Sequence, residues 1–142
     1  MRMPTIAVAL FLIGFSAALW AGQPITPPAT TASAPAKTTD EIVKAVEPSK
    51  GFGQIQTAEF NREGRRIFTL WYCPFSGRGD CFVRAYYFDF AQEQWIAFLD
   101  QLVPANGDLS AEMPSRTDLV FHGTDGKVAL KESVAKFPQK KP

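Results

Sequence analysis

Arg65–Phe90, RRIFTLWYCPFSGRGDCFVRAYYFDF, reads as two β-strands joined by a loop with one cysteine at each end. Both flanks are rich in β-branched and aromatic residues, which suit a pleated, half-buried surface. Between them Pro74, Gly77, Gly79 and Asp80 favour a turn. A bond between Cys73 and Cys81 sets the register of the pair. One face then places Trp71 opposite Val83, Thr69 opposite Ala85, Ile67 opposite Tyr87 and Arg65 opposite Asp89. The other pairs Tyr72 with Phe82, Leu70 with Arg84, Phe68 with Tyr86 and Arg66 with Phe88. The first face is apolar until it ends in opposite charges, a pairing that antiparallel strands favour.

Upstream, Gly53–Phe60 is an alternating strand, and residues 61–64 (Asn-Arg-Glu-Gly) form a four-residue turn that sets Glu59 opposite Arg66 and Ile55 opposite Leu70. The expected unit is a three-stranded antiparallel meander with the strand from Arg65 in the middle. Downstream, AQEQWIAFLDQLV (91–103) carries Ala91, Trp95, Phe98, Leu99 and Leu102 at helical spacing. That spacing predicts a helix with Asp89 as N-cap, stopped by Pro104, Asn106 and Gly107. Residues 108–116 read as irregular. Thr117–His122 and Lys127–Lys131 form a hairpin in which Leu119 faces Leu130, Phe121 faces Val128 and His122 faces Lys127. The fold class is therefore α+β, a small single domain of meander, helix and C-terminal hairpin. Its expected core holds Trp71, Ile67, Val83, Trp95, Phe98 and Leu102.

The 142 residues suffice for one domain. Residues 1–21 read as a secretory signal peptide: Arg2, an apolar run from Ile6, and small residues at Ala17, Ala18 and Ala21. The run falls short of the roughly 20 residues that span a bilayer, and no cysteine follows it to take a lipid. No later stretch is apolar enough to cross a membrane. Residues 22–50 form a Pro/Ala/Thr-rich tether. Within it, Thr38 with Glu41 has capping-box spacing ahead of a short helix bearing Ile42, Val43 and Val46. Residues 51–137 are the stapled domain, and 138–142 a basic tail. Export points to a periplasmic or secreted protein and makes a disulfide the natural state of two cysteines. Closing so short a loop is worth about 2.5 kcal/mol in the chain-entropy account.

Removing Arg2 from 15 basic residues leaves 14, against 14 acidic, so the mature charge is near zero. Such a balance argues against nucleic acid as a partner. Two cysteines and one histidine do not make a closed zinc site, and no nucleotide loop, HExxH or GxSxG is present, so no cofactor is implied.

Two stretches could bind. Phe75, Arg78 and Asp80 sit on the stapled loop, whose closure lowers the ordering cost of binding. Arg78-Gly79-Asp80 resembles the tripeptide of integrin-binding disintegrins and fibronectin-type modules over those three residues only, and a turn built from its favoured residues is the better account of it. Arg66, Arg84 and Tyr86 lie on an aromatic, guanidinium-bearing sheet face suited to a sugar, a peptidoglycan fragment or a protein, provided nothing covers that face. His122, the sole histidine, is the one candidate for a small hydrolase and would need a carboxylate and a nucleophile beside it. The expected function is an exported, non-catalytic module that binds a protein or envelope component and has no catalytic residue, with an inhibitor- or immunity-like protein as a subtype. Intact-mass analysis of exported protein should show a chain starting near Gly22 or Leu19 and lacking two hydrogens. Two freely alkylated thiols would remove the register argument.

Overall fold

A computed structural model of the chain describes residues 34–141. The expected signal peptide and the first part of the tether lie outside the described residues. From Ala34 onward there are one short helix and seven strands: α1 (Thr39–Ala45), β1 (Gln56–Arg62), β2 (Arg65–Tyr72), β3 (Asp80–Asp89), β4 (Gln94–Pro104), β5 (Leu109–Glu112), β6 (Asp118–Gly123) and β7 (Val128–Ser133). The strands make two antiparallel sheets, β1-β2-β3-β4 and β5-β6-β7. Among the described residues no helix is long and apolar enough to cross a membrane.

The β2–β3 pair has the register read from the cysteines: Trp71 pairs with Val83, Thr69 with Ala85, Ile67 with Tyr87, Tyr72 with Phe82, Leu70 with Arg84 and Phe68 with Tyr86. Cys73 and Cys81 are disulfide-bonded across its open end. Both strands are buried on both faces, so each face needs its own cover. On one, Ile67, Trp71, Val83, Leu99 and Val103 meet Leu109, Met113, Leu119, Phe121 and Val134 of the second sheet and its flanks. Trp71 and Phe121 pack edge to face there, ring centres 5.8 Å apart. On the other, Phe68, Leu70, Tyr72, Phe82, Tyr86 and Trp95 pack with Ile42 and Val46 of the α1 segment. The order of layers is short helix, four-stranded sheet, three-stranded sheet.

The helix expected over 91–103 is instead β4, which makes the first sheet four-stranded. Two circumstances imitate a helical repeat. The ladder shifts register between Ala85 and Tyr86, leaving Phe98 as the extra residue of a bulge. Trp95 and Ala97 therefore face the α1 layer while Phe98 and Leu99 both join the other core. With both faces covered, no polar alternation marks the strand. Asp89 keeps the donors an N-cap would take: its Oδ1 accepts the Ala91 N–H (2.9 Å) and the Gln92 N–H (3.3 Å). Here they close the β3–β4 turn, in which Glu93 adopts φ 52°.

Four further expectations are corrected. The β1–β2 turn holds two residues, Glu63 and Gly64, both at positive φ (50° and 81°), as a tight primed hairpin turn requires. Glu59 is thus opposite Phe68, yet it still reaches Arg66 diagonally at 2.9 Å. Residues 109–112, read as irregular, form β5 on β6. In the last hairpin Phe121 pairs with Leu130, Leu119 with Glu132 and His122 with Val128, with a shift between Phe121 and His122. Leu102, expected in the core, is 38% exposed, and Phe98 is partly buried.

Arg65 does not pair with Asp89, which is occupied by its turn. Buried to 5% exposure, it donates to the carbonyls of Arg116 (2.9 Å), Ala135 (3.1 Å) and Phe137 (3.2 Å). One guanidinium so fastens the central strand to the links that flank the second sheet. The chain beyond β7 is also docked: Phe137 stacks on Tyr87 at 4.2 Å, and in the basic tail the Lys140 N–H donates to the Gly64 carbonyl at 2.8 Å. A Cβ on Gly64 would lie 2.7 Å from the Lys140 carbonyl oxygen.

The Thr38 Oγ1 caps α1 by accepting the Glu41 N–H (3.2 Å), while Glu41 reaches back to the Lys37 N–H (3.0 Å). Seven residues are too few for an independent helix, so Ile42 (1% exposed) must hold it to the sheet. Trp95 is likewise 1% exposed, and Trp95→Ala should cost about 3–5 kcal/mol in denaturant unfolding. A loss far below that range would show that the α1 layer closes over the vacated space.

Candidate functional site

The stapled loop stands at the open end of β2–β3. Besides the disulfide, a main-chain bridge pins its base: the Gly53 N–H donates to the Cys73 carbonyl and the Phe75 N–H to the Gly51 carbonyl, both at 2.8 Å. The Ser76 hydroxyl accepts the Arg78 N–H at 3.2 Å and tightens the tip. On this mount Phe75 is 78% exposed, the most exposed large apolar side chain among the described residues. Arg78 and Asp80 are also exposed, and neither side chain has a partner among the described residues.

A groove lies on each side of the loop. One, about 630 Å³, runs along Gln54, Gln56, Pro74, Phe75 and Asp108. The Gln56 amide nitrogen fixes its floor by donating to both Asp108 carboxylate oxygens, at 2.7 and 2.8 Å. The other, about 440 Å³, lies between Asp80, Asn106, Asp125, Lys127 and Val128. Val128 is 56% exposed, which adds apolar surface there.

The aromatic and guanidinium face is a different matter. Arg84 and Tyr86 are 1% and 0% exposed, so the condition that nothing cover this face fails for both. Arg84 stacks its guanidinium over Phe82 (4.8 Å) and pairs with Asp100 (3.4 Å) at the β4 edge. Its Nε and Nη1 have no hydrogen-bond partner. Arg66 is half-buried, paired with Glu59 and lying over the Phe88 and Trp95 rings (4.7 and 4.8 Å). The structure thus separates the six expected contact residues into Phe75, Arg78 and Asp80 at one end, Arg84 and Tyr86 in the interior, and Arg66 on the opposite flank.

His122 does have a carboxylate beside it, one that sequence reading missed. Glu112 Oε1 lies 2.6 Å from His122 Nε2, while Nδ1 faces the Gly126 carbonyl at 3.3 Å. Ser110 is the cross-strand neighbour of His122. Both ring nitrogens face acceptor oxygens, and among the described residues no hydroxyl or thiol lies within hydrogen-bonding distance of either. The missed signal was the alternation Leu109-Ser110-Ala111-Glu112-Met113, buried at Leu109 and Met113 and exposed at Ser110 and Glu112. Among the described residues no three His, Cys, Asp or Glu side chains converge to hold a metal ion. The chain matches no protein-family model, no curated protein and no solved structure.

Burial holds the Tyr72 and Tyr86 phenols above the usual tyrosine range, against a smaller opposing pull from the nearby Arg84 charge. A phenol whose folded value is raised favours the neutral, folded form, so its contribution is full below the unfolded value near pH 10. That contribution is lost as pH rises through the folded values. The phenolate absorbance of native protein should therefore rise at higher pH than that of urea-unfolded protein. Superimposable titrations would contradict the burial of both phenols.

Proposed function

We propose that this protein is an exported, non-catalytic binding module that grips a partner protein with the stapled loop 74–80. The observation that carries the reading is Phe75, a large apolar side chain held in solvent on a mount pinned by a disulfide and two main-chain bonds. An exposed aromatic on a rigid mount loses little entropy on binding, and aromatics and arginines dominate interface energetics. Arg78 and Asp80 supply one free charge of each sign, fit for orienting a partner more than for attracting it from a distance. A convex loop between two grooves suits a concave partner surface, in the manner of an inhibitor or immunity protein seated in an enzyme's cleft. The disulfide and the leader-like sequence of residues 1–21 support an oxidising, periplasmic or extracellular setting.

Capture from the envelope of the source cell, with the mature chain as bait, tests this directly. Phe75→Ala with Arg78→Ala should keep the fold and lose the partner, each truncation costing roughly 2 kcal/mol or more of binding. His122→Ala should leave both intact. Retained binding by the double mutant, together with a hydrolytic activity abolished by His122→Ala, would transfer the case to a small secreted hydrolase.

A further inference from the structure

The two sheets have four edges, β1, β4, β5 and β7, and three of these are blunted. β4 carries the bulge at Phe98, ends in Pro104 and exchanges main-chain bonds with Ala36 at Trp95. β5 is only four residues long, and β7 holds an extra residue, Ala129, where its ladder shifts. Such features discourage a strand from pairing with another chain. β1 has none of them: it runs seven residues in unbroken register without a proline. Its two-residue turn makes Arg62 and Arg65 a hydrogen-bonded pair, so Phe60, Ala58 and Gln56 also bond inward to β2. The main-chain N–H and C=O groups of Thr57, Glu59 and Asn61 therefore point outward, and they have no partner among the described residues. All three residues are exposed.

From this edge we infer that the chain forms a two-fold dimer, in which β1 pairs antiparallel with β1 of a second copy and the axis passes at Phe60. Outward-pointing residues bond only with one another, so the axis falls on Ala58, Glu59 or Phe60. Charge chooses among them. Beside the C-terminal end of β1 lies a pocket of about 390 Å³ lined by Glu59, Asn61, Arg66, Phe90 and Lys140. Glu59 pairs with Arg66 through Oε2, which leaves its Oε1 free and Lys140 without a carboxylate among the described residues. With the axis on Phe60, Glu59 of each copy lies opposite Asn61 of the other, at the mouth of the pocket that holds Lys140. An axis on Glu59 sets two carboxylates face to face, which paired strands disfavour. An axis on Ala58 sets Glu59 against Thr57, away from that pocket. The chain thus carries its own complement, an acid two residues from a basic pocket, and an axis on Phe60 brings the two together twice. The dimer does not rest on the binding role of the loop, but it gives that role a form. Gln54 and Gln56 at the start of β1 line the groove beside Phe75, so antiparallel pairing carries the two stapled loops to opposite ends of one continuous sheet.

Sedimentation velocity on the mature chain, from about 1 to about 300 µM, tests the dimer, because an interface built on one strand edge is small and associates weakly. The mass should pass from monomer to dimer across that range. Glu59→Lys should weaken association roughly tenfold, since each dimer carries the change twice. Adding Lys140→Glu to that variant should restore association, a rescue that mere damage to the edge would not allow. Under mild oxidation Phe60→Cys should cross-link to its own copy, because facing residues that do not bond in the ladder lie about 4.5 Å apart. Ala58→Cys and Glu59→Cys should stay uncrosslinked. A chain that remains monomeric throughout the range overturns the proposal, and an edge left open to a strand of some other protein would then be the better account of β1. A dimer indifferent to Glu59→Lys overturns it too, as does cross-linking by Ala58→Cys or Glu59→Cys in place of Phe60→Cys.

Discussion

The β2–β3 ladder is apolar on both faces, and everything else in the fold answers that constraint. A half-buried hairpin could leave one face to water, but Ile67, Trp71 and Val83 on one side and Phe68, Leu70 and Phe82 on the other leave no such option. Two covers are required, and the chain builds them differently. The second sheet supplies a continuous apolar layer with interlocking side chains. The N-terminal segment supplies about two turns of helix and a two-bond bridge.

That asymmetry explains where polar groups had to be accommodated. Against the sheet cover, Arg65 is buried at the end of β2 and meets three main-chain carbonyls, so its charge is spread over dipoles that would themselves need partners. Against the α1 cover, Arg84 has one carboxylate, one aromatic face and the Tyr86 side chain, with its Nε and Nη1 unmet. The same residue type is thus fully used on one side of the sheet and left with unspent capacity on the other.

The stapled loop gains its rigidity from the disulfide and the bridge at its own base, and that bridge is backed by the α1-side core, because Phe52 within it packs edge to face on Tyr72. The His122–Glu112 pair stands apart from both, on the three-stranded sheet, where it joins β5 to β6.

What the sequence by itself determined is the local pairing around the cysteines. Side-chain alternation and an eight-residue separation leave one register for β2 and β3, and the residues from Cys73 to Cys81 close their own loop. The N-cap of α1 was legible for the same reason, and so was the pull of Asp89 on donors two and three residues on, although the sequence read them as the start of a helix where the structure has a turn. What only the tertiary structure decided is what each face touches. Trp95, Phe98, Leu99 and Leu102 fit a helical repeat as well as they fit a bulged strand covered on both sides, and their spacing cannot choose between the two. The choice was made by the open β3 edge, whose unpaired main-chain groups β4 satisfies and a helix would not. Likewise Arg84 and Tyr86 read as surface or interior with equal ease until α1 is placed over them. Burial is a property of the second layer, and the second layer comes from residues far along the chain.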